Sequence, residues 1–429
     1  MSEWQRMRIK CLFASSLPGE WGRAGDAESG TPVLRSTNFR NDGSIDFSDI
    51  AYRTIQPSRL TKRRVVNGTL LIEKSGGSPT QPAGRVVFCD RDFNGTASNF
   101  IEVVNVKHDF ISQYVAYLLF HLYESGLALK YQQQTTGIIN FKLNQYVEEQ
   151  VNLPSEKPEQ AKIAEILSTV HRAIEHTEAL IAKQQRIKTG LMQDLLTRGI
   201  DEHGNLRSES THEFKDSRLG RIPIEWHVAP LDSQAVRGSG HTPSKRKDSY
   251  WNGGVKWVSL ADSSKLDNIW IRETEKEISE LGLKNSSAVL HPRGTVILSR
   301  DAGVGKSAIL GDEMAVSQHF IAWRCTPCKL DNFYLYYWLQ KDKPKFEGIA
   351  SGSTIVTIGL QFFRDYEIAA PLDVREQEQI AKVLLNADLT TNSFLIVLDK
   401  LTRLKSSLMQ DLLTGKKRVT SLLELEPTH

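Results

Sequence analysis

Seven residues, LMQDLLT, stand at 191–197 and again at 408–414. At the same pitch of 217 residues and without a gap, Ile163 and Ala164 fall on Ile380 and Ala381, Leu167 on Leu384, Lys188 on Lys405, and Pro154 on Pro371. Glu159 and Gln160 likewise fall on Glu376 and Gln377. A duplicated segment of about forty residues constrains the architecture more than any local pattern does.

Each copy reads as a long helix. Pro158 lies in the first turn, where its missing N–H costs little. Asp373 and Glu376 have capping-box spacing, and Gly199 and Gly415 stand where C-terminal caps belong. In the first copy Leu167, Ile174, Ile181 and Leu195 form one heptad row, and Ile163, Val170 and Leu191 the other. In the second copy Leu384, Leu398 and Leu412 are joined by Ile380, Ala387, Phe394, Leu401 and Leu408. These rows predict a coiled-coil seam. A helix of this length reaches roughly 60 Å at 1.5 Å per residue, so the natural partner of each is the other. Lys188 and Lys405 fall on the seam, which Thr177 and Gln184 also interrupt. Polar seam residues can fix register, or the lysines can snorkel out at the coil edge.

A chain of 429 residues exceeds what one core usually holds. No uninterrupted apolar run approaches 18 residues and no signal-peptide pattern is present, so a cytoplasmic protein that neither crosses a membrane nor is secreted is expected. Four cysteines suit a reducing compartment. A net charge of +3 permits a nucleic-acid partner without demanding one.

Residues 1–154 read as a first globular unit of short strands with an amphipathic helix at 113–123, an α/β or α+β domain. The first long helix follows at 155–199, and the polar stretch 200–218 reads as a flexible connection. Residues 219–371 repeat the layout of the first unit with little identity, before the second helix at 372–418 and a tail at 419–429. Trp226 answers Trp4, although 17–21 (LPGEW) competes for that place. VKWVS at 255–259 answers PVLRS at 32–36, and Gly294 answers Gly68. The loop 300–303 answers 74–77, Phe320 answers Phe100, and 353–355 answers 136–138. Constant helices and diverged globular units imply that the globular units carry the variable property.

This doubled order, with IAxxL opening each helix and LMQDLLT closing it, resembles the specificity subunit of Type I restriction–modification enzymes over essentially the whole chain. LGRIP at 219–223 before Trp226, SGSTIVTI at 351–358 and GHTPSKRKDSYWNGGVKWVS at 240–259 add to the likeness; TTGIINF at 135–141 departs from it. The resemblance implies two target recognition domains, each reading half of a split asymmetric DNA target, and an antiparallel coiled coil that sets the spacer. It also implies methylation subunits, two in number, docked on the helices, and restriction/motor subunits. S-adenosylmethionine, ATP and Mg would be bound by those partners and no cofactor by this chain.

No catalytic constellation stands against that expectation. Gly303-Val304-Gly305-Lys306-Ser307 looks like the end of a P-loop, but Arg300 occupies the position of its first glycine, so a hairpin turn or a DNA-facing loop is expected instead. The single CxxC at Cys325 and Cys328 lacks a second ligand pair, so no metal site is predicted. No HExxH, GxSxG or NPPY pattern occurs.

Basic and hydroxyl-rich loops are the candidates for DNA, since Arg and Lys hold phosphates or read guanine and Asn suits adenine. In the first unit they are Arg35, Ser36, Asn38, Lys62, Arg63, Arg64, Lys74 and Ser75; the run at 62–64 also fits a solvated surface. In the second they are His241, Thr242, Ser244, Lys245, Arg246, Lys247, Arg300, Lys306, Ser351, Ser353 and Thr354. Tyr250 and Trp251 read better as core anchors than as base contacts. Two other readings remain: a coiled-coil adaptor without DNA, and a guide for a fused methyltransferase–nuclease.

Overall fold

A computed structural model of the chain describes residues 3–78, 80–135, 138–350 and 357–423. It forms two units, Met1–Glu178 with Ile396–His429, and Ala179–Leu395. Each unit therefore holds one globular domain and half of each long helix.

In the first unit, Phe13–Pro18, Ile101–Val106, Leu70–Glu73 and Val86–Phe88 form an antiparallel sheet in that order. The helix Ser112–Glu124 buries Tyr114, Val115, Leu118 and Leu119 in the same core as Leu70, Ile72 and Val104 of this sheet. In the second unit the corresponding sheet runs Ala235–Ser239, Phe320–Cys325, Val296–Ser299, Ser307–Leu310 and Trp270–Ile271. Its helix is Asn332–Lys341, an aromatic-rich segment whose Tyr334, Tyr337 and Trp338 are buried. Mixed strands and helices in both units agree with the expected α/β class.

A two-stranded ribbon closes each domain. Trp4 pairs with Pro154 in one and Trp226 with Pro371 in the other, which makes Trp4 the counterpart of Trp226. Leu17 and Pro18 belong instead to the main sheet.

The long helices are Lys157–Leu195 and Val374–Leu413. Within the first unit, Ile163, Ala164 and Leu167 from the start of one share a core with Met409, Leu412 and Leu413 from the end of the other. Within the second unit, Leu195 and Leu196 share a core with Ile380, Ala381 and Leu384. Start meets end in both, so the helices pack antiparallel. Ile174 and Ile181 are buried as the heptads predict, whereas Val170, Leu191, Phe394, Leu398 and Leu401 are half-buried. At the end of the seam Met409 is buried and the predicted Leu408 only half-buried, because the globular core covers a broader face there than a coil partner would.

The duplicated polar residues are structural at both ends. Gln160 donates to the carbonyl of Pro154 and accepts from the N–H of Ile111. Gln377 does the same with Pro371 and Asp331, so each glutamine ties a ribbon to the start of a domain helix. Fully buried Glu159 receives the Arg418 guanidinium at 2.6 and 2.7 Å. Glu376 receives Arg207 at 2.5 and 3.0 Å and the Trp226 indole at 3.1 Å. Glu376 thus forms no capping box; the Asp373 carboxylate caps the N–H of Arg375. Gly199 and Gly415 take the expected positive φ, +61° and +76°. A Cβ on Gly199 would lie 2.3 Å from the Glu376 carboxylate.

One further expectation changes. The polar segment 200–218 is no bare connection: Arg207 is buried against Glu376, and Phe214–Ser217 pairs with Gly220–Pro223 as a hairpin. Composition misses this because one buried bidentate ion pair needs no apolar run. The second long helix is long and apolar enough to cross a membrane by length and composition alone. Averaging tolerates residues such as Asn386 and Thr390 that interrupt an apolar run. On this helix Leu389 and Leu395 are exposed in the second unit, and Ile396, Val397 and Leu404 in the first.

Candidate nucleic-acid interface

Backbone hydrogen bonds give the two domains one frame at the edge of the main sheet. Ser98 N–H donates to Leu34 as Ser317 N–H does to Val258. Glu20 donates to Ala97 as His241 does to Val316, and Lys74 donates to Phe100 as Arg300 does to His319. Phe141 donates to Lys74 as Ile358 does to Arg300. In this frame Trp21 corresponds to Thr242, Arg35 to Ser259, Asn99 to Gln318 and Phe100 to His319. The sequence pairing of Phe100 with Phe320 is therefore one residue out. Phe320 is 1% exposed and matches Ile101, while Phe100 is 52% exposed.

Several first-unit candidates turn out to build the frame. Asn38 is 2% exposed; its Oδ1 accepts from the N–H of Arg35 and its Nδ2 donates to the carbonyls of Asp46 and Asp49. Asp262 performs the first of these tasks for Ser259, so Asn38 folds a loop and presents no amide to a base. Arg35 holds Asp49 at 2.6 Å, beside Ser36 on the rim. Lys74 is paired with Glu102 at 2.9 Å, and Ser75 donates to Asn140 within the short strand Ser75–Gly77, where a loop was expected. Arg63 donates to the carbonyls of Pro18 and Arg59, whereas Lys62 and Arg64 beside it are exposed.

In the second unit the loop carrying Ser244, Lys245, Arg246 and Lys247 is exposed. Two tryptophans anchor it: Trp251 donates to the carbonyl of Ser244 and Trp257 to that of His241. Tyr250 is buried, and Trp251 packs edge-on against Trp257 at 5.2 Å, as core anchors do. Lys247 reaches back to the Tyr250 hydroxyl at 3.1 Å. The glycines at 303 and 305 make the hairpin turn between Val296–Ser299 and Ser307–Leu310, and Lys306 donates to the carbonyl of Ser263. Ser351, Ser353 and Thr354 lie outside the described residues, as does most of the 351–358 motif.

Beside that loop runs a polar chain that the sequence reading missed. Thr242 donates to Gln318, Gln318 meets His319, and His319 Nδ1 lies 2.7 Å from Asp301. Asp301 also accepts from Thr357 and faces Arg300. Burial raises the Asp301 carboxyl, but the hydrogen bonds from Thr357 and His319 and the charge of Arg300 outweigh it and hold the group below the usual range. Aligning the two SxxI/SxxF stretches on Ser98 and Ser317, not on the aromatic residue, would have exposed His319.

The seam lysines stand inside the units. Lys188 meets Asp388 at 2.5 Å over the ring of Tyr337. Lys405, 7% exposed, donates to the carbonyl of Asp42 at 3.1 Å and lies 2.9 Å from His171 Nδ1. Neither lysine snorkels freely.

The family described as Type I restriction modification DNA specificity domain matches residues 1–184 and 223–395. The chain belongs to this family. The chain is 23% identical to the MjaX type I specificity subunit of Methanocaldococcus jannaschii over 423 residues, 97% of this chain and 94% of that one. It is 28% identical over 173 residues to the MjaIX specificity subunit of the same organism, 40% of each chain. The Type I system S subunit from M. genitalium has the same fold, with a TM-score of 0.61 at 16% identity over 96% of both chains. A chain from a structure of type I R-M complex assembly and conformational transition gives 0.56 at 15% identity, over 96% and 98%. As a Type I specificity subunit the chain carries two target recognition domains.

Proposed function

We propose that this chain is the non-catalytic reading and assembly subunit of a Type I complex. Each recognition domain reads one half of a bipartite asymmetric DNA target, and the helices dock methylation subunits and set the spacer between the halves. The observation that carries this is the shared backbone frame with different rims: Trp21, Arg35 and Phe100 in one unit stand where Thr242, Ser259 and His319 stand in the other. One geometry furnished with two chemistries suits two different half-sites. Lys62, Arg64, Lys245 and Arg246 are exposed and suited to phosphates, which position without reading sequence. The exposed apolar residues of the second helix suit protein partners. Those partners, two methylation subunits and restriction/motor subunits in the cytoplasm, would bring S-adenosylmethionine, ATP and Mg. The test is to exchange residues 219–371 for the second domain of another family member and map methylated sites genome-wide. One half of the target changes and the other stays; change in both halves or in neither overturns the reading.

A further inference from the structure

The rim of the first recognition domain lines a pocket of about 390 Å³, and at the corresponding described positions of the second domain runs the polar chain from Thr242 to Asp301. The pocket walls include Trp21, Arg35, Ser36, Phe100 and Ile138, and the surface they present is mostly carbon. Phe100 and Ile138 remain 52% and 47% exposed, although a chain normally hides such side chains. Arg53 lies over the Trp21 ring at 3.9 Å. Arg63, tied to the Pro18 carbonyl, fixes the segment that exposes Lys62 and Arg64. An open apolar pocket with the Arg35 and Arg53 guanidiniums beside it is matched by a partner that is anionic overall and offers a small apolar group.

Among the groups by which base edges are told apart in the major groove, the C5-methyl of thymine is the apolar one; the others are hydrogen-bond donors and acceptors. Given that the domain reads DNA, as proposed above, we infer that this pocket receives a thymine methyl and that Phe100 and Trp21 are specificity-determining residues of the first half-site. The second domain has Thr242 and His319 at the same positions, so it reads hydrogen-bonding edges and supplies an internal control.

The experiment uses the full chain in complex with its methylation subunits and duplexes in which single thymines are replaced by deoxyuridine. The first half-site is the half unaltered when residues 219–371 are exchanged. Deoxyuridine at one thymine there weakens binding about fourfold, the worth of one buried methyl group. Deoxyuridine in the second half leaves affinity unchanged. Phe100→Ala and Trp21→Ala abolish the discrimination, and Phe100→Leu, which keeps an apolar wall, retains part of it. A first half-site without thymine on either strand overturns the pocket assignment. So does deoxyuridine tolerated at every thymine there with binding still site-specific, or discrimination undiminished in Phe100→Ala; each leaves the reading of DNA intact. Loss of sequence-specific binding by the wild-type complex would overturn that reading instead.

Discussion

The two seam lysines occupy duplicated positions and meet different chemistry. In the second unit Lys188 finds a carboxylate, Asp388, which also accepts from the Tyr337 hydroxyl at 2.8 Å. In the first unit the position matching Asp388 at the 217-residue pitch is His171, so Lys405 faces a second base and completes its bonding with a backbone carbonyl. Its ring neighbour is Phe120, which offers no hydroxyl. Both ends keep the lysine and the packing, but only one keeps an ion pair. Duplication preserved what the helices need to meet, and left the local charge balance free to drift.

The glutamate clamps give the largest contrast. Glu376→Ala leaves Arg207, whose side chain is 8% exposed, with only the more distant Glu225 at 3.9 Å, and removes the acceptor of Trp226 and of the Ile200 N–H. Breaking a buried pair on one side costs about 3–5 kcal/mol. Glu159→Ala removes the carboxylate from Arg418, whose side chain is 32% exposed and can turn to water, so the loss is about 1–3 kcal/mol. Hydrogen exchange resolved by unit measures both, since a chain of two units need not unfold in one step. Equal losses would erase the contrast between the clamps.

Acidity probes the lysines next. Burial lowers the proton affinity of His171, as does the charge of Lys405; Asp42, Glu175 and Asp90 pull the other way without reversing it. Burial also lowers that of Lys405, against Asp42, Glu124, Glu175 and Glu178. An unfolded histidine titrates near 6.5. As pH falls through that value the unfolded chain takes up its proton first, so the first unit loses stability until the folded His171 is protonated as well. His171→Asp recreates the pair of the second unit and removes the part of this acid-side loss that His171 causes. His291 in the second unit and His121 in the first, both lowered by desolvation, add acid-side losses of their own that His171→Asp leaves in place. Exchange protection followed from pH 7 to 5 separates these contributions; an unchanged profile in the variant would mean that His171 is not the group titrating.

The smallest effect belongs to the exposed helix pair Asp399 and Arg403, 3.0 Å apart with side chains 58% and 79% exposed. Arg403→Ala shifts stability by less than about 0.5 kcal/mol, and a larger change would show that surface charge contributes to the coil.

The helices were legible because heptads and an exact repeat are written along the chain. Pro154 was legible for the same reason, by its duplicate Pro371, whereas Trp4 lies off the 217-residue pitch and its match to Trp226 needed the strand pairing. The rims were not. A one-residue register is set by the amides of Ser98 and Ser317, and the eye follows Phe100 to Phe320 instead. Asn38 and Ser75 have the composition of DNA contacts, yet their polar atoms are occupied within the loops they fold. The partnership of Glu159 with Arg418 spans 259 positions and leaves no local pattern.

That long span has a consequence for synthesis. The first unit needs residues beyond Ile396 to cover Ile163 and Leu167, whereas the second is complete at Leu395. A ribosome adding about 5–20 residues per second therefore finishes the second domain first and holds the earlier one open for roughly 10–40 seconds. Through that interval the nascent chain carries an apolar helix face awaiting its own last turns, which makes it a client for chaperones at the ribosome exit.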